Sequence, residues 1–273
     1  MDSQRRGAAV CAAIGLMDVM KHVLILGGTA EARQLAGLLA DRADIKATLS
    51  LAGRTSAPAA QPVPVRVGGF GGAEGLAGYL TAERIDALID ATHPYAAVIS
   101  RNAAEAAASA QVPLVALRRP AWLATSGDRW IDVDDMAAAV AALGAPPKRV
   151  FLAIGRNEVA VFTTAPQHYY LIRSVDPIEP PLDVPHAMYI VSRGPFAENE
   201  ERALLSQHRI ETVVAKNSGG TATYGKIAAA RKLGLTVIML RRPALPDIRS
   251  VGTPQEAVVW LDHVPPSSTK RGV

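Results

Sequence analysis

The feature that most constrains this chain is the repeated alternation of short apolar runs with longer helical stretches. His22-Val23-Leu24-Ile25-Leu26 reads as a buried strand, and Thr29 to Leu39 carries an apolar stripe (Ala32, Leu35, Ala36, Leu38, Leu39) at helical spacing. Strands are then expected at Ile45 to Leu51, Val63 to Val67, Ala87 to Ala91 and Pro113 to Leu117, with helices ending near Tyr79-Leu80 and spanning Ala96 to Ala108. The same rhythm returns with strands at Val150 to Ile154, Tyr169 to Val175, Ala187 to Ser192, Thr212 to Ala215 and Leu235 to Leu240. Glu198 to Gln207 and Tyr224 to Leu233 read as helices. Strand, helix, strand in series predicts right-handed crossovers and parallel sheets. The fold class is therefore α/β, with two Rossmann-like domains and a cleft between them at the carboxyl ends of the strands.

The length, 273 residues, agrees with two domains at about 150 residues each. The expected division is an inert extension over 1–20, a dinucleotide-binding domain over 21–118, a second domain over 119–263 on the substrate side, and a flexible tail over 264–273. A Pro- and Trp-containing connector from Arg118 to Asp128 marks the break. Arg5-Arg6 before Ala8 to Met17 has the look of a short signal peptide, but no small-residue cleavage site precedes Lys21, and Met17 or Met20 offers a later start.

Apolar residues make up 49% and charged residues 20%, enough for a sizeable core. The net charge of +4 is spread in isolated pairs such as Arg118-Arg119 and Arg241-Arg242, and aromatics are only 5%, so no nucleic-acid partner is expected. No apolar run reaches the roughly 18 residues of a membrane span, so no membrane partner is expected either. A single cysteine, Cys11, excludes an internal disulfide and fits a reducing, cytoplasmic setting. His93, His168, His186, His208 and His263 show no metal-ligand spacing, so no metal is expected.

Strand one runs into Gly27-Gly28-Thr29-Ala30-Glu31-Ala32, the place for a dinucleotide phosphate loop. Glycines admit the pyrophosphate to the backbone, and the first-turn amides face the anion. The usual third glycine is absent, and Ala32 stands small enough for close helix–strand packing. The competing reading is an ordinary tight turn before a capped helix. Strand two ends in Ser50-Leu51-Ala52-Gly53-Arg54-Thr55. A site built for NAD places an acid there for the ribose 2′-hydroxyl. Here Ser50, Arg54 and Thr55 suit a 2′-phosphate instead, which points to NADPH.

Strand four ends at Asp90-Ala91-Thr92-His93-Pro94-Tyr95. Thr92 and His93 are placed at the switch-point crevice, His93 as a candidate for proton transfer, and Tyr95 either lines the cleft or packs on the sheet. Lys216-Asn217-Ser218-Gly219-Gly220 follows a later strand and precedes a helix opening with Tyr224-Gly225-Lys226. Exposed amides with a lysine make a second anion site, against the alternative of a helix-capping turn. Arg118, Arg119, Arg156, Asn157 and Arg173 are further cleft candidates at strand ends. No Tyr-x-x-x-Lys, G-x-x-x-x-G-K-[ST] or G-x-S-x-G pattern occurs, which argues against a short-chain dehydrogenase relay, a P-loop NTPase and an α/β-hydrolase.

These residues resemble the precorrin-6A reductase family, NADPH-dependent reductases of cobalamin biosynthesis. The likeness runs from about Lys21 to Pro243. It is carried by Ile25-Leu26-Gly27-Gly28-Thr29-Ala30-Glu31-Ala32, Ala91-Thr92-His93-Pro94-Tyr95-Ala96, Arg119-Pro120-Ala121-Trp122, and Lys216 to Gly220 with Tyr224 to Ala230. The resemblance implies hydride delivery from NADPH to one double bond of a carboxylate-rich tetrapyrrole held between two Rossmann-like domains. It assigns Gly27, Gly28, Thr29, Glu31, Ala32, Ser50, Arg54, Thr55 and Thr92 to the cofactor. Tyr95, Arg118, Arg119, Arg156, Asn157, Arg173, Lys216 to Gly220, Tyr224 and Lys226 go to the substrate, with Lys216 and His93 nearest the chemistry. It also allows transient contacts with neighbouring pathway enzymes. Two other functions fit the same residues: another NADPH-dependent reductase acting on a smaller acid, and an NADP-sensing protein without turnover.

Overall fold

The computed structural model describes residues 20–53 and 60–266. Arg54 and Thr55 lie outside the described residues, as do 1–19 and 267–273. The first half builds β1 (Lys21–Leu26), α1 (Ala30–Ala40), β2 (Ile45–Leu51), β3 (Val65–Val67), α2 (Gly72–Ala82), β4 (Ala87–Asp90), α3 (Ala97–Ala110) and β5 (Leu114–Leu117). The second half builds β6 (Arg129–Val133), α4 (Met136–Leu143), β7 (Arg149–Ala153), β8 (Tyr169–Ser174), β9 (Ala187–Val191), α5 (Glu198–Gln207), β10 (Thr212–Lys216), α6 (Gly225–Leu233) and β11 (Thr236–Leu240). The short strand β12 (Ser250–Val251) and helix α7 (Pro254–Asp262) follow.

Two six-stranded sheets result, ordered β12-β5-β4-β1-β2-β3 and β6-β11-β10-β7-β8-β9. Every pairing in both is parallel, and buried runs such as Val23 to Leu26 and Val213 to Ala215 fill their centres. Helices cover both faces of each sheet: α1 and α7 pack on one side of the first, α2 and α3 on the other. In the second sheet, α4 with the 3-10 turn Val159–Thr164 lies opposite α5 and α6.

Three features of the chain's path go beyond the strands and helices expected from sequence. The strand β6 and the helix α4 fill the stretch after the connector; Asp135 caps α4, its carboxylate accepting from the Ala138 amide at 2.7 Å. The third is the chain's return. Instead of staying with the second sheet, Ser250–Val251 pairs with β5, and α7 packs on α1. The expected second unit, 119–263, therefore gives its last elements to the first sheet. The reason is hydrophobic: Ala257, Trp260 and Leu261 complete the core around Leu35, Leu39 and Val115, each large side chain worth roughly 1.5–3 kcal/mol. Lys21 Nζ seals this junction by donating to the Leu261 carbonyl at 2.7 Å. Thr253, with its hydroxyl accepting from Glu256 N at 3.2 Å and Pro254 in the first turn, is the start signal for α7.

Candidate functional site

The loop after β1 is shaped by two glycines with different tasks. A Cβ on Gly27 would stand 2.5 Å from Leu49 Cδ1, so a side chain there would have to displace the buried Leu49 side chain. Gly28 has φ +116°, and a Cβ there would meet nothing within 4 Å. It borders open space rather than protein. Thr29 caps α1, accepting from Ala32 N at 3.1 Å, and donates to the Ala91 carbonyl at 2.9 Å, which ties the loop to the end of β4. A backbone cradle with positive φ, open space beside the glycine and a helix N-terminus behind it is the geometry that accepts a pyrophosphate.

The end of β4 is held by Asp90, which is buried and accepts from Ser100 Oγ and Thr92 Oγ1, both at 2.6 Å. The Thr92 hydroxyl thus fixes the loop's own shape, and the residue lines a small pocket with Thr29, Glu31 and Arg119. Next to it, His93 spans the gap between the sheets. Tyr95 N donates to its Nδ1 at 3.3 Å, so the proton sits on Nε2, which donates to Ser218 Oγ at 3.2 Å. Burial, helped by the positive charges of Arg119, Lys216, Arg242 and Lys226, pushes the His93 imidazole down to about 3. It is neutral at pH 7. The Tyr95 hydroxyl donates to the Leu240 carbonyl and accepts from Asn217 N at 2.7 Å; burial raises it to about 12. Of the two alternatives for Tyr95, the structure shows packing, on the core of the second sheet across the seam.

The second glycine loop, 216–220, behaves differently from the first. The Asn217 side chain accepts from Trp122 N at 2.8 Å and donates to Trp122 O at 2.9 Å. The Ser218 carbonyl accepts from Arg119 Nε at 2.6 Å and Arg242 Nη2 at 3.2 Å, and the Gly220 carbonyl from Trp122 Nε1 at 2.7 Å. A Cβ on Gly219 would overlap the Pro120 carbonyl oxygen, and one on Gly220 would lie 2.8 Å from Arg119 Cδ. The expected anion site is in fact occupied by the connector: Asn217, Gly219 and Gly220 receive chain, not ligand. Arg119 crosses back to Glu31 in α1 at 2.5 Å, so the Glu31 carboxylate is an ion-pair partner linking the sheets.

Arg156 is exposed, while Lys216 is largely covered. Lys216 Nζ donates to Glu158 Oε1 at 2.6 Å and sits 5.4 Å from the centre of the Tyr95 ring. Arg156 and Asn157 line a cleft of about 440 Å³ with Asp176, Pro177, Ile178 and Glu179. Four other expected substrate residues do not reach it. Arg173 is buried in a two-pronged pair with Glu201 (2.5 and 2.9 Å), its guanidinium stacked 3.6 Å from the Phe196 ring centre. Lys226 is buried under the seam, donating to the Thr223 carbonyl at 2.7 Å, and burial brings its ammonium down to about 7. Tyr224 accepts from Arg231 Nη2 and packs on Trp122. Arg118 donates to the Pro246 carbonyl at 3.1 Å. A strand-end position predicted a cleft for all of them, whereas side-chain direction decides it.

Three contributors escaped sequence reading. Glu158 lies in the loop after β7, where no local motif marks it. Arg242 follows closely on β11, and that strand-end place is the available signal. Arg66, on β3, sits beside Ser50 with Nη1 3.5 Å from its hydroxyl. Among the described residues no group of histidine, cysteine and acidic side chains could hold a metal ion, and no helix is long and apolar enough to cross a membrane.

Comparison with known proteins gives a consistent set of relatives. A family described as precorrin-6x reductase CbiJ/CobK matches residues 22–262. The chain is 56% identical over 242 residues to a precorrin-6A reductase of Sinorhizobium sp, covering 89% of this chain and 93% of the relative. It is 51% identical over 255 residues to a precorrin-6A reductase of Rhodobacter capsulatus, covering 93% and 100%. A cobalt-precorrin-6A reductase of Priestia megaterium is 29% identical over 237 residues, covering 82% and 91%. A solved structure titled CobK precorrin-6A reductase superposes with a TM-score of 0.86 at 50% identity, covering 93% of this chain and all of that one.

Proposed function

As a member of the precorrin-6x reductase family, to which the chain belongs, we propose that this protein reduces one double bond of the cobalt-free precorrin-6A macrocycle to give precorrin-6B, using NADPH. The observation that carries the reading is the high identity, over nearly the whole chain, to relatives named for that reaction; the relative named for the cobalt-bearing macrocycle is much less similar. A family of reductases of this kind takes a nicotinamide cofactor, and NADPH is the finer assignment.

The residues present fit such a cofactor. Gly28 and the first-turn amides of α1 would hold the pyrophosphate. The end of β2 offers Ser50 and no acid, with Arg54 and Thr55 adjoining in sequence, as a 2′-phosphate requires. When bound, the nicotinamide supplies hydride. The protein's part is positioning, which can account for several kcal/mol of the barrier, and cationic recognition of the macrocycle's carboxylates. Arg156, in the cleft beside Asn157 and Asp176, and Lys216, paired with Glu158, are the candidate cations. His93, neutral and committed through Nε2–H to Ser218, holds the seam rather than delivering a proton from an imidazolium. The setting proposed is the cytoplasm.

The test is to mix the purified chain with precorrin-6A and NADPH or NADH, following cofactor oxidation and the visible spectrum of the macrocycle. Stoichiometric NADPH consumption with a spectral shift is expected. NADPH binding without turnover would instead identify a sensing protein, and turnover only with a smaller acid another reductase.

A further inference from the structure

Ser50, the residue before the last of β2, is buried, and its register partner on β3 is Arg66. Paired residues on neighbouring parallel strands project to the same face of the sheet, so the two side chains lie together. The Arg66 guanidinium is held in place before any ligand arrives. Nη1 donates to the Gly68 carbonyl at 2.6 Å and Nη2 to the Gly69 carbonyl at 2.8 Å. Its plane lies 3.8 Å from the Phe70 ring centre and 5.2 Å from that of Tyr79. With the Nη1 contact to Ser50 Oγ at 3.5 Å, the carbonyl bonds use three of the five N–H donors and leave Nε–H and one Nη2–H available. Positions 68 and 69 border open space, since a Cβ on either glycine would meet nothing within 4 Å.

The position along the sheet edge matters as much as the fixation. Leu26, just before the Gly27-Gly28 loop, pairs with Ser50, and Ser50 pairs with Arg66. Arg66 thus stands two strand spacings, about 10 Å, from the pyrophosphate cradle, on the side where the adenosine half of a dinucleotide extends. We propose that Arg66, with Ser50 beside it, reads the 2′-phosphate of the cofactor's adenosine ribose and is a determinant of NADPH over NADH. The proposal rests on the NADPH reading above. A guanidinium already fixed by two carbonyls and an aromatic ring loses little freedom on binding a phosphate, and its planar fork matches phosphate oxygens.

Titration calorimetry of NADP+ and NAD+ with the full chain tests this, comparing wild type, Arg66→Ala and Arg66→Lys. Arg66→Ala should weaken NADP+ binding tenfold or more and leave NAD+ within twofold; Arg66→Lys, which keeps the charge without the fork, should fall between. Parallel losses for both cofactors would reduce Arg66 to a clamp on the 68–72 loop and overturn the proposal, as would unchanged NADP+ affinity. If Arg66→Ala does not fold, the ratio of the two affinities in Arg66→Lys decides by the same criterion. A wild-type chain that binds both cofactors equally overturns the NADPH reading itself, whereas a wild-type preference that survives both variants overturns only Arg66.

Discussion

The loops after β1 and β10 are written in almost the same way: a buried strand, paired glycines with a hydroxyl residue beside them, then a helix. They end in opposite states. At Gly28 the space beside the backbone is open; at Gly219 and Gly220 it is filled by the Pro120 carbonyl and the Arg119 side chain. A glycine at a strand end means that something approaches the backbone closely. Whether that is a ligand or another stretch of chain is settled by what the connector 118–128 does, and here it takes the second loop for itself. The first loop is a cradle and the second a clasp between the two sheets.

The largest effect expected from this contrast is at the clasp. Gly219→Val must place a branched side chain at φ +70° against the Pro120 carbonyl and the Arg242 guanidinium, and should cost about 3 kcal/mol or more of stability, seen as a large fall in Tm. Gly28→Val should do the reverse: strain at φ +116° costs about 1–3 kcal/mol, the fold survives, and NADP+ binding in calorimetry is lost. If Gly28→Val binds normally, the cradle assignment fails; if Gly219→Val is as stable as wild type, the clasp does.

Lys216 sharpens the comparison, because its side chain leaves the clasp to pair with Glu158. Lys216→Ala should lower kcat/KM tenfold or more, about 1.4 kcal/mol, with cofactor affinity changing less. Unchanged turnover would leave the whole loop as clasp. The smallest effect concerns Lys226 below it. Its ammonium is pushed by burial to about 7, while the unfolded chain holds the proton up to about 10.5. The unfolded state therefore binds more protons between these values, and wild-type stability should rise as pH goes from 7 to 10.5. Lys226→Met should raise Tm at pH 7, by an amount corresponding to about 1 kcal/mol, and flatten that rise. Thermal melts of both proteins at pH 7 and pH 9 measure it; a Met variant less stable than wild type at pH 7 would show that the Thr223 bond outweighs desolvation.

The residues alone determined the α/β class, most strands of both sheets, the open glycine turn at Gly27-Gly28 and the absence of an acid at Ser50. All of these rest on local pattern: apolar runs of strand length, amphipathic helices and glycine at a strand-to-helix turn, each read within a few neighbours. The return of Ser250–Val251 and α7 to the first sheet, the burial of Arg173 against Glu201, the commitment of Asn217 to Trp122 and the pairing of Lys216 with Glu158 were decided by tertiary structure. Each joins residues far apart in sequence, and a polar side chain at a strand end carries no local mark of which way it points. Arg173 and Lys216 lie at the carboxyl ends of parallel strands of the same sheet, yet one is sealed under Phe196 and the other stays partly exposed, because α5 brings Glu201 to the first and the loop after β7 brings Glu158 to the second.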